Sequence, residues 1–104
     1  MRALTSSERK ALRGIAHALE PSVHIGKQGV SEGSLRQLAE QLDHHELIKV
    51  RFLAAKEQKK ALVSVITERL HCESVGLVGH IAILFRQNED PEDRVVEFAN
   101  LHTG

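Results

Sequence analysis

The chain has 104 residues, with fourteen Lys/Arg, fourteen Asp/Glu, seven His, three Phe, one Cys and neither Trp nor Tyr. One domain is expected, able to bury roughly 65% of its unfolded surface, and the lone Cys72 excludes an internal disulfide framework and fits a reducing compartment. No stretch approaches the ~20 apolar residues needed to cross a bilayer, and Met1-Arg2-Ala3-Leu4-Thr5-Ser6 lacks a secretory apolar region, so a soluble cytoplasmic protein without a membrane partner is expected.

Thr5-Ser6-Ser7-Glu8 reads as a capping box that opens a first helix. Ala11, Leu12, Ile15, Ala16 and Leu19 recur at helical spacing up to the break at Glu20-Pro21. Arg9, Lys10, Arg13 and His17 fall three and four apart on that helix and form a largely basic stripe. Ser22 to Ile25 is short and β-prone. Ser31 caps a second helix, with Leu35, Leu38, Ala39 and Leu42 as its buried side and an end near Asp43-His44.

Glu46 to Leu53 is the clearest strand. Ile48, Val50 and Phe52 share one face, and Leu47, Lys49, Arg51 and Leu53 share the other. Polar residues from Ala54 to Lys60 lead into a third helix with Leu62, Val65, Ile66 and Leu70 as core positions. Cys72 to Val78 and Ile81 to Arg86 read as a hairpin turning at Gly79-His80, where Gly79 supplies positive φ. Beyond Gln87 the chain is acidic and turn-rich, with Val95, Val96 and Phe98 as a candidate docking element. The domain is therefore assigned to residues 1–87 and an acidic tail to 88–104.

The order α-β-α-β-α-β-β contains two strand-helix-strand crossovers, which imply parallel pairs, and a final hairpin that adds an antiparallel strand. An α/β fold with a mixed four-stranded sheet and packed helices follows.

The most informative motif is Gly26-Lys27-Gln28-Gly29, set between the first strand and the second helix. Glycines let a backbone turn tightly and let another chain come close. A helix start offers amide hydrogens and a positive dipole end that suit phosphate, and Lys27 adds a mobile cation. Taken alone, the loop reads first as a tight strand-to-helix turn, and the basic stripe reads first as a solvated face. Convergence favours function, because the first helix leads into the strand that ends at Gly26, while Lys49 and Arg51 occupy one side of a parallel neighbour. Gly76-Leu77-Val78-Gly79 repeats the spacing with apolar residues inside and reads as hairpin structure.

Charge distribution supports a polyanion partner despite a net charge of zero. Residues 1–60 hold eleven Lys/Arg against seven Asp/Glu, and residues 61–104 hold three against seven. Stacking of bases on aromatic side chains is poorly supported by three Phe.

Enzymatic chemistry finds little support. His44-His45-Glu46 are adjacent and cannot converge on one metal, and no Cys-x-x-Cys or His-Glu-x-x-His accompanies them. His44 and His45 instead suit a helix C-terminus. Cys72 reads as a buried structural thiol. An enzyme built on His17, His24 or Cys72 would need these side chains to meet in a pocket. No cofactor, no metal and no catalysis are expected.

The run Leu12-Arg13-Gly14-Ile15-Ala16-His17-Ala18-Leu19, then Pro21, then Ile25-Gly26-Lys27-Gln28-Gly29-Val30, resembles the start of the CRM domain, named for chloroplast RNA splicing and ribosome maturation. His44-His45-Glu46-Leu47-Ile48-Lys49-Val50-Arg51 and Val78-Gly79-His80-Ile81-Ala82-Ile83-Leu84-Phe85-Arg86 fit the same family in order and spacing, so the resemblance covers about residues 4–86. As a stand-alone domain the chain is most similar to bacterial YhbY-like proteins. Phe85 stands where tyrosine is common, His80 where lysine is frequent, and Glu20 in a normally basic neighbourhood.

The resemblance implies an α+β two-layer fold like the C-terminal domain of translation initiation factor three, with strand order 1-2-4-3. It implies association with precursors of the large ribosomal subunit, and RNA binding through Gly26, Lys27, Gln28 and Gly29 with Arg9, Lys10, Arg13 and His17, and with Lys49 and Arg51 as further contacts. The expectation is a monomeric, non-enzymatic RNA-binding protein of ribosome assembly. The alternative is a protein–protein adaptor recruited to pre-ribosomes without direct RNA contact.

Overall fold

The computed structural model describes residues 3–53 and 56–96. Its elements are α1 (Ser6–Ala16), β1 (Pro21–Ile25), α2 (Glu32–His45), β2 (Leu47–Phe52), α3 (Lys56–Leu70), β3 (Glu73–Val78) and β4 (Ile81–Phe85), followed by a 3-10 turn at Pro91–Asp93. None of the described helices is long and apolar enough to cross a membrane.

The four strands form one sheet in the order β1-β2-β4-β3. β1 and β2 pair directly in parallel. The second crossover sets β3 one strand further out, still parallel to β2, with β4 inserted antiparallel to both. Gly79, with φ +57°, turns the β3–β4 hairpin, and the Gly76–Gly79 copy is spent within it.

Alternation along the strands divides the apolar residues between two faces. On one face Val23, Ile25, Ile48, Val50, Phe52, Ala82 and Leu84 pack against Leu35, Leu38 and Leu42 of α2 and Val63 and Ile66 of α3. On the other, Leu47, Val75, Ile83 and Phe85 meet Leu12 and Ala16 of α1. The expected two layers are the sheet and the α2–α3 pair, and α1 adds a helix to the opposite face. Each fully buried Leu or Phe contributes roughly 2 kcal/mol.

Three details depart from the sequence reading. α1 buries the narrow stripe Glu8, Leu12 and Ala16, whereas Ile15 at its margin and Leu19 just beyond the helix keep over a third of their surface exposed. α3 begins at Lys56 and faces the core with Lys59, Val63 and Ile66, while Val65 is exposed. Ile66 is buried as expected, and Leu62 and Leu70 pack half-buried against the same core; only Val65 departs, its place inside being taken by Val63 with Lys59 one turn earlier.

Glu46 is the third. It begins no strand: it caps α2 with φ +61° and is fully buried. Its carboxylate accepts the amides of Asn88 and Val95, both at 2.5 Å, and of Val96 at 2.8 Å. The segment after β4 is thereby drawn back onto the domain, and Val96 enters the α1-side core, with Val95 exposed. The segment is thus anchored to the folded body at Asn88 and Val96 while residues 89–95 stay exposed, and Phe98 lies outside the described residues.

A candidate nucleic-acid interface

The loop is a tight turn whose Gly26 carbonyl accepts the Gly29 amide at 3.0 Å, presenting Lys27 and Gln28 to solvent. The two glycines serve different ends. Gly29 sits at φ +83°, where an L side chain is strained, with Leu62 of α3 beneath it. Gly26 needs no special conformation, and a methyl group there would meet nothing within 4 Å inside the molecule. Its bare surface is turned outward.

α2 starts at Glu32, three residues beyond Gly29. Ser31 accepts the Ser34 amide at 3.1 Å and Ser34 Oγ accepts the Ser31 amide at 2.7 Å, a reciprocal cap. The capping box therefore uses donors expected to be open, and Glu32 and Gly33 keep the first-turn amides that a helix cannot satisfy itself. The Glu32 carboxylate is drawn to Arg69 of α3 at 2.8 Å. A shallow groove of about 570 Å³ is lined by His24, Ile25, Gly26, Lys27, Gln28, Gly29, Ser31 and Ser34, with no carboxylate among them.

The groove sits at the end of the sheet where β1 and β2 finish. Leu53 N–H donates to Ile25 at 2.8 Å, and Phe52 N–H donates to His80 of the hairpin at 2.8 Å. α3 also starts from this end, so two helix N-termini and their positive dipole ends share it. Exposed Lys60 in the opening turns of α3 adds a cation at this end that was not among the expected contacts. It falls in the polar stretch Ala54 to Lys60 that is expected to lead into the third helix, and the observed start of α3 at Lys56 fixes its placement.

Lys49 and Arg51 lie on the sheet face that α1 covers in part. Lys49 is half-buried beside Pro21 and Ile83, and Arg51 is exposed beside His24 and Ile81. They adjoin the loop through His24, which both lines the groove and pairs with Arg51.

The basic stripe of α1 is split. Arg9 donates to the Ser74 carbonyl at 3.0 Å and pairs with Glu73 at 2.7 Å, and Arg13 donates to the Val75 carbonyl at 2.9 Å. A bulge between Ser74 and Gly76 interrupts the ladder here, and the two guanidinium groups engage carbonyls beside it. Gly76 leaves room for the Arg13 stem, which would stand 3.2 Å from a β-carbon at that position. Three strand spacings across the sheet and several residues along it put this corner roughly 20 Å from the loop, so Arg9 and Arg13 do not converge on it. Lys10 and His17 remain exposed on α1.

Cys72 is buried on the α2–α3 side, where desolvation pushes its thiol up from 9.0 to about 11 despite the opposing charge of Arg86. His24 opens on the opposite face of the sheet, so the two do not meet in a pocket. His44 and His45 occupy the last turn of α2, and no metal-holding cluster occurs among the described residues.

The CRS1 / YhbY (CRM) domain profile matches residues 4–86. The chain belongs to this family. It is 36% identical over 91 residues to a Haemophilus influenzae protein named RNA-binding protein, covering 86% of this chain and 92% of that one. It is 31% identical over 88 residues to Bacillus subtilis "Probable RNA-binding protein YqeI", covering 84% and 92%. The solution structure of Staphylococcus aureus SAV1595 superposes with a TM-score of 0.77 at 29% identity, across 91% of this chain and all of that one. This CRM chain therefore shares its architecture with a solved relative over almost its whole length.

Proposed function

We propose that this CRM domain binds RNA at the Gly26–Gly29 end of its sheet and assists assembly of the large ribosomal subunit, as a cytoplasmic monomer without catalysis or cofactor. The observation that carries the reading is the outward, unobstructed surface of Gly26 in a groove free of carboxylates. A phosphate set there meets Lys27 and the Glu32 and Gly33 amides, with Lys49 and Arg51 tracking the backbone beyond it. Lys10, Arg13 and His17 form a more distant flank, and the charge of Arg9 is matched by Glu73. The relatives named as RNA-binding proteins support an RNA partner. The family resemblance points to the precursor large subunit.

Contacts of this kind recognise backbone and shape rather than base sequence, and each one releases counterions. In-cell crosslinking followed by sequencing of the attached RNA tests the reading. Large-subunit ribosomal RNA crosslinked to the loop is expected, and crosslinks confined to the parts of α2 and α3 beyond their first turns would overturn it.

The exposed apolar Val78, Leu53 and Val95 favour a second reading, an adaptor that reaches pre-ribosomes through protein contacts. Nuclease treatment separates the two, since an adaptor keeps its partner after RNA is destroyed.

A further inference from the structure

His24, Arg51, Ile81 and Val78 stand side by side across β1, β2, β4 and β3, in register and on the same face of the sheet. α1 covers the rows nearer Leu47 and Phe85 and leaves this row open: His24 and Arg51 are exposed, Ile81 is partly so, and Val78 is 70% exposed. The row contains two flat nitrogenous side chains, two branched apolar ones and no carboxylate. Phe52 and Phe85 are fully buried, so guanidinium and imidazole are the planar groups this face offers.

We propose that the row is a platform for unpaired bases, so that the RNA held at the loop is a single-stranded segment. The proposal rests on the reading of the loop as a phosphate clamp. An Arg guanidinium stacks on a splayed base much as an aromatic ring does, and Ile81 and Val78 extend an apolar floor beside it. His24 belongs to both the row and the groove, so a phosphate on the loop and a base on the sheet are adjacent along one strand. A duplex gains little here. Its bases face inward, and α1 rises beside the row by about 10 Å, one helix diameter, which keeps a rigid A-form rod off the floor.

The test compares the full chain with its Arg51→Lys and Lys27→Ala variants, using a short unstructured RNA and a blunt RNA duplex of equal length, across a salt series. Arg51→Lys keeps the charge and removes the stacking plane. The expected result is about tenfold weaker binding to the single strand with an unchanged salt slope, and a clearly smaller loss for the weaker duplex binding, where the substituted side chain keeps the charge but no base stacks. Lys27→Ala should weaken both RNAs. If Lys27→Ala weakens binding but Arg51→Lys does not, or if the duplex binds as tightly as the single strand, the platform is wrong and the clamp stands. If the parent chain binds neither RNA, the clamp itself fails and the row is left to a protein partner.

Discussion

The buried carboxylate of Glu46 accepts the backbone amide of Val96, fifty residues away, at 2.8 Å. The same group accepts the amides of Asn88 and Val95, so one side chain at the α2–β2 junction holds the segment that follows β4. Charge-assisted bonds to backbone amides are among the stronger ones in a protein. Glu46→Gln keeps the shape but removes the charge and turns an NH₂ group toward amide donors. A loss of about 2–4 kcal/mol is expected in urea unfolding. In a chain ending at Gln87 the same substitution should cost far less, because its partners are gone; equal costs in both backgrounds would disprove the coupling.

Arg13 belongs to the docking of α1 more than to the loop. Its guanidinium bonds the Val75 carbonyl and its stem lies over Gly76. Arg13→Ala should lower stability by about 1–2 kcal/mol through the lost bond and lost packing. Its salt slope for RNA should change less than that of Lys27→Ala. A larger change for Arg13→Ala would return that residue to the centre of the interface.

The two loop glycines should respond in opposite ways. Gly26→Ala meets nothing inside the molecule, so the fold should keep its melting temperature while RNA affinity falls as the methyl group holds phosphate away. Gly29→Ala forces a side chain to φ +83° and should cost about 1–2 kcal/mol of stability. Thermal melts paired with RNA titrations decide between these outcomes.

Lys27→Ala removes one exposed cation from the groove. The slope of log affinity against log salt should shrink by about 0.7–0.9, the contribution of one phosphate contact. An unchanged slope would show that Lys27 touches no phosphate.

The Cys72 thiol, raised to about 11 by burial, makes reactivity and alkaline stability testable together. Folded protein at pH 8 should react with a disulfide reagent roughly a hundred times more slowly than unfolded protein, since the nucleophile is the thiolate. The folded state holds this proton more tightly than the unfolded state. Its contribution is therefore complete below pH 9 and declines as pH rises toward 11. Cys72→Ala should flatten that part of the stability curve relative to the parent chain.

Local chemistry by itself determined the element order, the capping box at Thr5 and the cap at Ser31, the Gly79 hairpin, and the exposed turn at Gly26–Gly29. Each depends on residues within about one helical turn or one strand, where periodicity and backbone freedom act directly. Tertiary structure alone decided the partners of charged side chains. Arg9 and Arg13 read as one stripe with Lys10 and His17, yet a bulge more than sixty residues away in sequence claimed both guanidinium groups. Glu46 read as the first residue of a strand until three distant amides enclosed it. His24 gained meaning only when strand register set it beside Arg51. A long polar side chain carries no periodic signal that names its partner, because its bond is decided by whichever unsatisfied carbonyl, amide or open row the fold brings within reach.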